Sequence, residues 1–386
     1  MRKVAATCCL AAWCVAVGMG AEAGGEPAAA TASAPAERMA SLKRGVNLGG
    51  WFAQGTLSRE RFKGHITAED AGRIRKLGCT FVRLPVDPAA LADPGKPEAF
   101  DAGNLKLFDN ALDLFQKEGL AVIVCPYMGD GPKHRVLTDR ATTEAFLSFW
   151  GRLGRHLAAR PTDKLFLQVM NEPSTDDQRA WDDLQLRIVA AIRSAAPKHT
   201  IVAASNLRAN GGWDPIGGFV AGRPVEDRNV IYDFHFYDPV QFTHQGAGWM
   251  TWQVKEYRNL PYPSTPENIR PHLAGMTTPG ARAYAVLYGR ERWNKDRLEK
   301  QILRAIEWGR KHQVPVLCGE FGVYRRHAPE ADRLRYLQDV REVLEKHGLG
   351  WAMWEYLGDF GVVVDKDGKR VVDENTAQAL GLSKEK

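Results

Sequence analysis

Eight short apolar runs alternate with longer amphipathic segments along most of this chain, and this alternation constrains the fold more than any other feature. A short apolar run bounded by turn residues predicts a buried strand, and a longer amphipathic stretch predicts a helix. Strict strand–helix alternation is typical of a parallel sheet covered by helices, and eight strands favour an α/β fold closed into a (β/α)8 TIM barrel over an open doubly wound sheet. The predicted strands span residues 45–48, 81–85, 121–125, 165–170, 200–203, 230–235, 316–319 and 350–354.

The segments between the predicted strands carry helical patterns and helix-start signals. Thr67 and Thr142 each precede acidic residues, as expected of a hydroxyl N-cap followed by an acidic first turn. No internal repeat and no second break in composition interrupts residues 41–386, so we expect a single domain over that range, a size that (β/α)8 barrels reach as one unit. The predicted helices span residues 67–77, 104–118, 142–159, 176–196, 294–312 and 331–347.

Residues 1–23 have the composition of a secretory signal peptide. Arg2 and Lys3 precede an uncharged apolar run over residues 4–19, and Ala21-Glu22-Ala23 supplies the small residues of a cleavage site. The run is short for a membrane span, so we expect cleavage near Ala23 and a secreted or periplasmic protein. Residues 24–40 are rich in Ala, Pro, Glu and Ser and predict a flexible linker. A lipoprotein signal at Cys14 is the alternative that this segment leaves open.

Charge and cysteine content exclude several classes of protein. The net charge is +6 over 386 residues and forms no basic run, so we expect no nucleic-acid partner, and no membrane contact after signal removal. Three cysteines remain after residue 23, an odd number, and each lies in an apolar run; Cys79, Cys125 and Cys318 are therefore expected to be buried core thiols rather than a disulfide framework. We expect a monomer that uses no cofactor and no metal.

One connection is longer than the others. Residues 238–293 follow the sixth predicted strand and are rich in Gly, Pro and aromatic residues, with only weak periodicity. In a barrel this long loop emerges at the C-terminal face, where active sites are built. Its aromatic content indicates a functional loop, with Trp249 or Trp252 as a stacking face for a ligand; the alternative is that these rings only attach the loop to the barrel. Tyr257 and Tyr262 also lie on it.

Two glutamates stand at the C-terminal ends of predicted strands. Glu172 follows the fourth strand and Glu320 follows the seventh, each directly after an apolar run. A single glutamate in such a place is equally compatible with a cap on the next helix. Two of them on strands four and seven of one barrel suit a pair of carboxylates on opposite sides of a scissile glycosidic bond.

The other strand ends carry further polar and aromatic residues. Arg83 lies at the end of strand two, and Trp354 at the end of strand eight. His235 and Tyr237 lie at the end of strand six, on one face because side chains alternate with a period of two. Each alone is more often a packed core residue, but a cation, two carboxylates, an imidazole, a phenol and an indole at one rim predict an active site.

These segments together resemble glycoside hydrolase family 5, the cellulase-type family of the retaining (β/α)8 clan. Any one of the motifs is weak, but their order and their positions at strand ends are specific, and they cover residues 44–365. The resembling segments are Arg44-Gly-Val-Asn-Leu-Gly-Gly-Trp51, Phe81-Val-Arg-Leu-Pro85, Asn171-Glu-Pro173, His235-Phe-Tyr237, Gly319-Glu-Phe-Gly322 and residues 351–360.

The resemblance implies a role for each residue at the rim. Glu172 is implied to be the general acid and then base, and Glu320 the nucleophile, with the two carboxyl groups about 5 Å apart. Arg83 and Tyr237 are implied to hold Glu320 ionised and oriented, while His235 lies beside Glu172. The remaining members of the site are substrate contacts: Asn171 for the sugar 2-hydroxyl and Trp354 for the floor of the subsite that holds the reacting sugar.

One position departs from the family pattern. The family usually carries a histidine at the end of strand three, beside the reacting sugar, whereas this chain reads Val122-Ile-Val-Cys-Pro-Tyr-Met128. Tyr127 is expected to line the pocket in its place, or His134 to return from the following loop. The departure affects the expected substrate preference more than the chemistry, because both glutamates are present.

Several functions are compatible with this reading. The leading one is a secreted retaining endo-β-1,4-glucanase that acts on a polysaccharide or oligosaccharide; β-mannan and β-1,3-glucan are rival substrates on the same barrel. A catalytically silent carbohydrate-binding barrel is an alternative suggested by the missing histidine. A metal-dependent hydrolase that uses Asp233, His235 and Asp238 is another, but strand alternation sends Asp238 to the opposite face.

Overall fold

The computed structural model describes residues 36–250 and 252–382, and eight parallel strands within them close into a barrel. Each strand pairs with its neighbours along the chain, and the first pairs with the eighth, so the predicted (β/α)8 barrel is confirmed. The strands are β1 Arg44–Asn47, β2 Phe81–Val86, β3 Ala121–Pro126, β4 Leu165–Gln168, β5 Thr200–Ala204, β6 Val230–Phe236, β7 Val316–Phe321 and β8 Gly350–Met353.

Helices surround the barrel, and the six predicted ones form with shifts of only one to two residues at most ends. Thr67 caps its helix with a full capping box, whereas the cap predicted at Thr142 is supplied by Asp139, one turn earlier. Among the described helices none has the length and apolar character needed to cross a membrane. The main helices are Ala68–Lys76, Ala102–Lys117, Asp130–Thr138, Arg140–Leu157, Gln178–Ala195, Pro215–Ala221, Lys295–His312, Glu330–Lys346 and Glu374–Ala379.

The lower interior of the barrel is an apolar layer. Alternate residues of each strand point inward, and those near the strand starts are buried hydrophobic side chains. The Phe81 ring fills the space above Gly45, where a Cβ atom would lie 2.6 Å from the ring. This packing makes the barrel a filled core rather than a pore. The layer consists of Leu42, Phe81, Ala121, Ile123, Phe166, Val202, Ile231, Leu317 and Ala352.

Above it lies a buried polar layer, one inward step further along the same strands. Asn47, Arg83, Gln168 and Asp233 occupy the inward positions there, and each is at most 2% exposed. Buried polar groups cost free energy unless they are hydrogen-bonded, and these four bond to one another or to the residues above them. The polar layer therefore forms a rigid base for the C-terminal mouth of the barrel.

The connection after β6 is an ordered insertion and not one long loop. It contains short helical turns and a 13-residue helix, Pro279–Glu291, which the weak periodicity did not predict. Tyr257 donates to the carbonyl of Ala281 (2.9 Å) and Tyr262 to Asp339 (2.9 Å), and both tyrosines are buried. Two of the four aromatic residues that suggested a functional loop are therefore structural: Tyr257 holds the insertion together, and Tyr262 attaches it to the helix Glu330–Lys346. The smaller elements here are Val240–Thr243, Trp252–Lys255, Pro266–Ile269 and the 3₁₀ turn Arg270–Gly275.

The N-terminal boundary of the domain lies earlier than predicted. Ala36–Ala40, assigned to the flexible linker, form a helix, and Arg38 donates to the Lys198 carbonyl and to Thr200 Oγ1, both at 2.9 Å. These contacts place the helix against the N-terminal end of the barrel, so the domain begins before residue 41. The predicted signal peptide and residues 24–35 of the predicted linker lie outside the described residues.

The three cysteines that follow the predicted signal segment are free and fully buried, as expected of core thiols. Burial raises the pKa of both Cys79 and Cys125 to about 12, so neither thiol is ionised at neutral pH. Since the thiolate is the reactive form, their chemistry is suppressed.

Candidate active site

Glu320 ends β7 inside the barrel mouth and is held by two donors. Arg83 Nη1 donates to Oε1 at 2.5 Å and the Tyr237 hydroxyl donates to Oε2 at 2.8 Å. The residue is 4% exposed. Burial raises the pKa of Glu320, while the charges of His235 and Arg83 and the Tyr237 hydrogen bond oppose that effect. Two donors on separate oxygens fix the carboxylate plane and favour its charged form.

Arg83 is the centre of the buried polar layer. Besides Glu320, it donates to Asn47 Oδ1 (2.9 Å), Gln168 Oε1 (2.7 Å) and Asn171 Oδ1 (2.7 Å), and Nη2 lies 3.2 Å from the Cys125 sulfur. Burial opposes its charge, but Cys125, Glu320 and the other acidic neighbours raise the pKa of Arg83. A guanidinium suits this place because its five donors point in fixed directions.

Glu172 lies across the mouth from Glu320, just beyond β4. Its φ of +46° is unusual for a residue with a Cβ atom, and such backbone strain is found preferentially at functional sites. The side chain is 18% exposed, more than that of Glu320. One oxygen of each carboxylate and a nitrogen of His235 lie within 4.8 Å of one another.

His235 joins the two glutamates to Asp233. Its Nδ1 is 2.9 Å from Glu172 Oε1 and 3.5 Å from Glu320 Oε2, and its Nε2 is 3.3 Å from Asp233 Oδ2. Burial opposes its charge, but the three carboxylates raise the pKa of His235 to about 10. Burial would in turn raise the pKa of Glu172, but the hydrogen bond and charge of His235 lower it to about 2.

His235 and Glu172 therefore hold one proton between them at neutral pH. The pair exists as imidazolium beside carboxylate or, after transfer along the 2.9 Å hydrogen bond, as neutral imidazole beside carboxylic acid. Both forms have the same net charge, so a substrate that favours the second form needs no proton from solvent. A proton is thus available at Glu172 over a wide pH range.

Asp233 orients the histidine, although the sequence suggested it only as a metal ligand. Gln168 Nε2 donates to Oδ2 and the Gly319 backbone N–H donates to Oδ1, both at 2.6 Å. A Cβ atom at Gly319 would lie 2.4 Å from the Asp233 carboxylate, so glycine is required there. The sequence reasoning gave no role to Asn47 or Gln168. Both lie at inward positions of predicted strands, and Asn47 also belongs to the resembling segment 44–51, so these were the available signals.

Trp354 and Tyr127 form an aromatic side of the mouth. Their rings are nearly parallel, with centroids 6.3 Å apart and an interplanar angle of 21°. Gln54 donates to the Tyr127 hydroxyl at 2.7 Å, and burial, followed by the charges of Glu172 and Glu320, raises the pKa of that phenol. Tyr127 therefore lies on the same side of the mouth as Trp354, near enough for the charges of both glutamates to act on its hydroxyl. His134 is exposed on its helix and is not brought to this position.

Lys133 is a third residue that the sequence reasoning missed. It is 7% exposed, on the helix Asp130–Thr138 that follows β3, and its charge helps to lower the pKa of Glu172. Its ion-pair partner, Asp130 at 3.3 Å, has a fully exposed side chain. The sequence analysis predicted no helix over residues 130–138, so it gave no sign of which residue there turns inward.

Trp249 stands at the edge of the mouth, on the insertion after β6. It is 61% exposed, and its ring lies edge-on to Tyr324 with centroids 4.9 Å apart. Tyr324 belongs to an aromatic cluster that also contains Tyr237 and Trp354. Trp249 thus continues the aromatic side of the mouth outward. Trp252 begins the short helix Trp252–Lys255, and its side chain lies outside the described residues.

Replacing Trp249 with Ala is expected to raise KM for a glycan substrate roughly three- to tenfold, the loss of one stacking contact. The free energy of unfolding should change by less than about 0.5 kcal/mol, because the ring is largely exposed. Steady-state kinetics and chemical denaturation measure the two effects. Leu287→Ala, which removes another exposed apolar side chain of the insertion (46% exposed), is the matched control and should leave KM unchanged. A loss of stability without a change in KM would mean that Trp249 only attaches the insertion.

The proximity of Glu172, His235 and Glu320 also resembles a metal-ligand set, but their hydrogen bonds favour another role. The Glu320 oxygens accept from Arg83 and Tyr237, and Glu172 accepts from His235. A guanidinium directly on the carboxylate supplies the positive charge that a cation would otherwise provide. Asp238, considered with Asp233 and His235 as a ligand, is not in the described group of Glu172, His235 and Glu320; burial and the charges of Asp214 and Glu291 raise the pKa of Asp238 to about 6.

Comparison with known proteins agrees with this architecture. The cellulase (glycosyl hydrolase family 5) model matches residues 45–359. Endoglucanase C of Acetivibrio thermocellus is 27% identical over 352 residues, covering 87% of this chain and 97% of that protein. Cellodextrinase A of Ruminococcus flavefaciens is 27% identical over 315 residues, covering 79% and 83%.

Solved structures share the fold over almost their whole length. The endoglucanase Cel5A from the hyperthermophilic Thermotoga maritima superposes with a TM-score of 0.71 at 24% identity, covering 90% of this chain and 99% of that one. A structure of the same enzyme in complex with cellobiose gives a TM-score of 0.70 at 25% identity, covering 89% and 99%. With the family model matched across the barrel and both glutamates facing each other at its mouth, the chain belongs to the cellulase family of glycoside hydrolases, family 5.

Proposed function

We propose that this glycoside hydrolase is an endo-β-1,4-glucanase that acts with retention of anomeric configuration. The observation that carries the mechanism is the approach of Glu172 and Glu320, whose nearest oxygens lie within 4.8 Å. Retaining enzymes hold their carboxyl groups about 5–5.5 Å apart, whereas inverting enzymes need roughly 6.5–9.5 Å to admit a water molecule. The smaller gap leaves no place for water between Glu320 and the anomeric carbon.

In the first step Glu320 attacks the anomeric carbon and the glycosidic C–O bond breaks. Arg83 and Tyr237 keep the attacking carboxylate charged and aligned. Glu172 gives a proton to the departing oxygen, and the shared proton of the His235–Glu172 pair is its source. The products are a glycosyl ester on Glu320 and a free sugar hydroxyl on the leaving chain.

In the second step water attacks the same carbon and the ester bond to Glu320 breaks. Glu172, now ionised, accepts a proton from the water and returns it to the pair with His235. Asn171 supports both steps: its Oδ1 is occupied by Arg83, so its amide N–H groups are directed to the sugar 2-hydroxyl. Both carboxylates end in their starting state.

The substrate assignment is supported by the relatives and by the aromatic side of the mouth. Endoglucanase C and cellodextrinase A are among the relatives that match over most of this chain. Trp354, Tyr127 and Trp249 line one side of the opening with flat rings, which cover the apolar C–H faces of a glucan. A silent binding barrel would not need Glu320 held by two donors and Glu172 coupled to a histidine.

We also propose that the protein is exported. The basic start, the apolar run over residues 4–19 and the small residues up to Ala23 support cleavage of a signal peptide. A polymer too large to enter a cell can only be cleaved outside it, so export agrees with the proposed substrate.

One experiment tests the activity, the stereochemistry and the export together. The full chain is expressed in a bacterial host, the exported protein is recovered, its N-terminus is sequenced, and it is assayed on β-1,4-glucan, β-mannan, β-1,3-glucan and aryl β-glycosides. The expected results are a start near Gly24, fastest cleavage of β-1,4-glucan with a rapid fall in viscosity, and the β-anomer appearing first by NMR. An intact Met1 would overturn export, first appearance of the α-anomer would overturn retention, and faster cleavage of mannan or β-1,3-glucan would reassign the substrate.

A further inference from the structure

Glu355 is a third glutamate at the barrel mouth that the proposed mechanism does not use. It directly follows Trp354 beyond β8, and its two oxygens lie where side chains of Gly49 and Gly358 would stand. A Cβ atom at Gly49 would be 2.2 Å from Oε2, and one at Gly358 would be 2.3 Å from Oε1. The carboxyl group therefore occupies a slot that exists because both positions are glycine.

The charges around this slot favour a neutral carboxylic acid. No described Lys, Arg or His lies within ion-pair distance of Glu355, and the neighbours that act on its charge are Glu320 on β7 and Asp359 on the following loop, both acidic. Burial, followed by these two charges, raises the pKa of Glu355 to about 8. One hydrogen bond from the Phe360 backbone acts in the opposite direction and lowers the pKa.

The basic residues that pack on the turn after β1 bond to that turn and not to the carboxyl group. Arg61, in the helix Arg59–Gly64, donates to the backbone carbonyl of Gly50, and the ring of His65 contacts that of Gly49. Burial and the charge of Arg61 lower the pKa of His65, so that ring is neutral near pH 7. At that pH Glu355 is therefore expected to carry its proton.

The slot opens beside the aromatic side of the mouth. The same Gly49 position lies 3.2 Å from the Trp354 ring and 3.3 Å from Gln54 Oε1, measured from an ideal Cβ atom. Gln54 in turn donates to the Tyr127 hydroxyl. The ring of Trp354 is thus bordered by the carboxyl group of Glu355, the amide of Gln54 and the phenol of Tyr127. A flat apolar ring with polar groups around it is typical of a subsite that binds a sugar.

We propose that Glu355 is a substrate-binding residue whose protonated carboxyl group donates a hydrogen bond to a hydroxyl of the sugar that rests on Trp354. This inference depends on the proposed glycan substrate. It predicts that substrate binding weakens as the pH rises through the ionisation of Glu355. An ionised Glu355 cannot donate, and it adds a negative charge beside Glu320. Loss of the shared proton of the His235–Glu172 pair is a separate effect, and the Glu355→Gln variant distinguishes the two because it removes only the ionisation of Glu355.

The test compares Glu355→Gln, Glu355→Ala and the control Glu118→Gln, an exposed glutamate at the end of the helix Ala102–Lys117. The pH dependence of kcat/KM is measured on an aryl β-cellobioside. Wild type is expected to lose activity above about pH 8. Glu355→Gln keeps an amide donor of the same shape, so kcat/KM should stay within about threefold below pH 7 and the decline should move to higher pH. Glu355→Ala should raise KM about tenfold, the effect of one hydrogen bond, with a smaller change in kcat.

Two outcomes would overturn the inference: a decline near pH 8 that persists in Glu355→Gln, or a KM of Glu355→Ala equal to that of Glu118→Gln. If Glu355→Ala fails to fold, the pH profile of Glu355→Gln decides alone. An inactive wild type on every aryl glycoside would instead contradict the proposed function, so the two failures are distinguishable.

Discussion

Glu320→Gln is expected to lower kcat by on the order of 10⁴-fold or more, because the amide cannot form the glycosyl ester. Glu172→Gln should cause a comparable loss on polysaccharide, because neither the proton for the leaving group nor the base for water remains. The two losses should not add in the double variant, since both groups serve one displacement. Steady-state rates on soluble β-1,4-glucan measure all three variants.

The leaving group separates the two roles. The phenolate of an aryl glycoside that is made from a strongly acidic phenol can leave without a proton. Glu172→Gln should therefore still form the glycosyl-enzyme from this substrate, seen as a rapid burst of released phenolate. Glu320→Gln should show no burst. Azide, an anion that needs no base, should then restore turnover to the Glu172 variant. Glu172→Gln should unfold at a denaturant concentration near that of wild type, whereas Glu320→Gln leaves Arg83 without its buried carboxylate and should unfold at a lower one. A burst in Glu320→Gln would contradict the assignment.

Arg83→Met is expected to have the second largest effect, on both rate and stability. The side chain is fully buried, and its removal leaves the side-chain oxygens of Asn171 and Gln168 without this donor and Glu320 with only the Tyr237 hydroxyl. Breaking a buried ion pair on one side costs roughly 3–5 kcal/mol of unfolding free energy. Loss of one preorganised donor at a charged reacting group lowers kcat by a factor of about 10²–10³. Urea unfolding and kinetics on an aryl glycoside measure the two losses.

Arg59→Met is the matched control for this change. Arg59 pairs with Asp101 at 2.8 Å, but its side chain is 55% exposed, and exposed ion pairs contribute about 0–1 kcal/mol. Arg83→Lys adds a second comparison, because an ammonium keeps the charge and cannot reach all the acceptors. If Arg83→Met were as stable and as active as Arg59→Met, the buried polar layer would have no role in holding the nucleophile.

The barrel and the glutamate pair were predictable because they depend on simple periodicities. A strand buried on both faces needs an unbroken apolar run, so all eight runs were visible, and residues just after them must reach one rim. Glu172 and Glu320 stood out because each interrupts such a run at its end. Tyr237 and His235 followed from the alternation of side chains along one strand.

Other parts of the site depend on contacts between distant segments, which a linear pattern does not contain. The side chain of Lys133 points inward, although the residues next to it on its helix are exposed. Glu355 occupies a slot formed by Gly49 and Gly358, which are some 300 residues apart in sequence. The helix Pro279–Glu291 was missed because its apolar positions pack on an insertion rather than on the barrel. The domain start was misplaced because the composition of residues 24–40 hid the contacts of Arg38.

The buried polar layer inside the barrel is structurally separate from the insertion that borders its mouth. Arg83, Asp233 and their partners are fixed by strands and bond mainly to one another, so the reacting groups keep their positions whatever connects the strands. Trp249 and the insertion that carries it contribute nothing to that layer. A descendant of this protein could therefore exchange one polymer for another by rebuilding residues 238–293, while inheriting its bond-breaking apparatus unchanged.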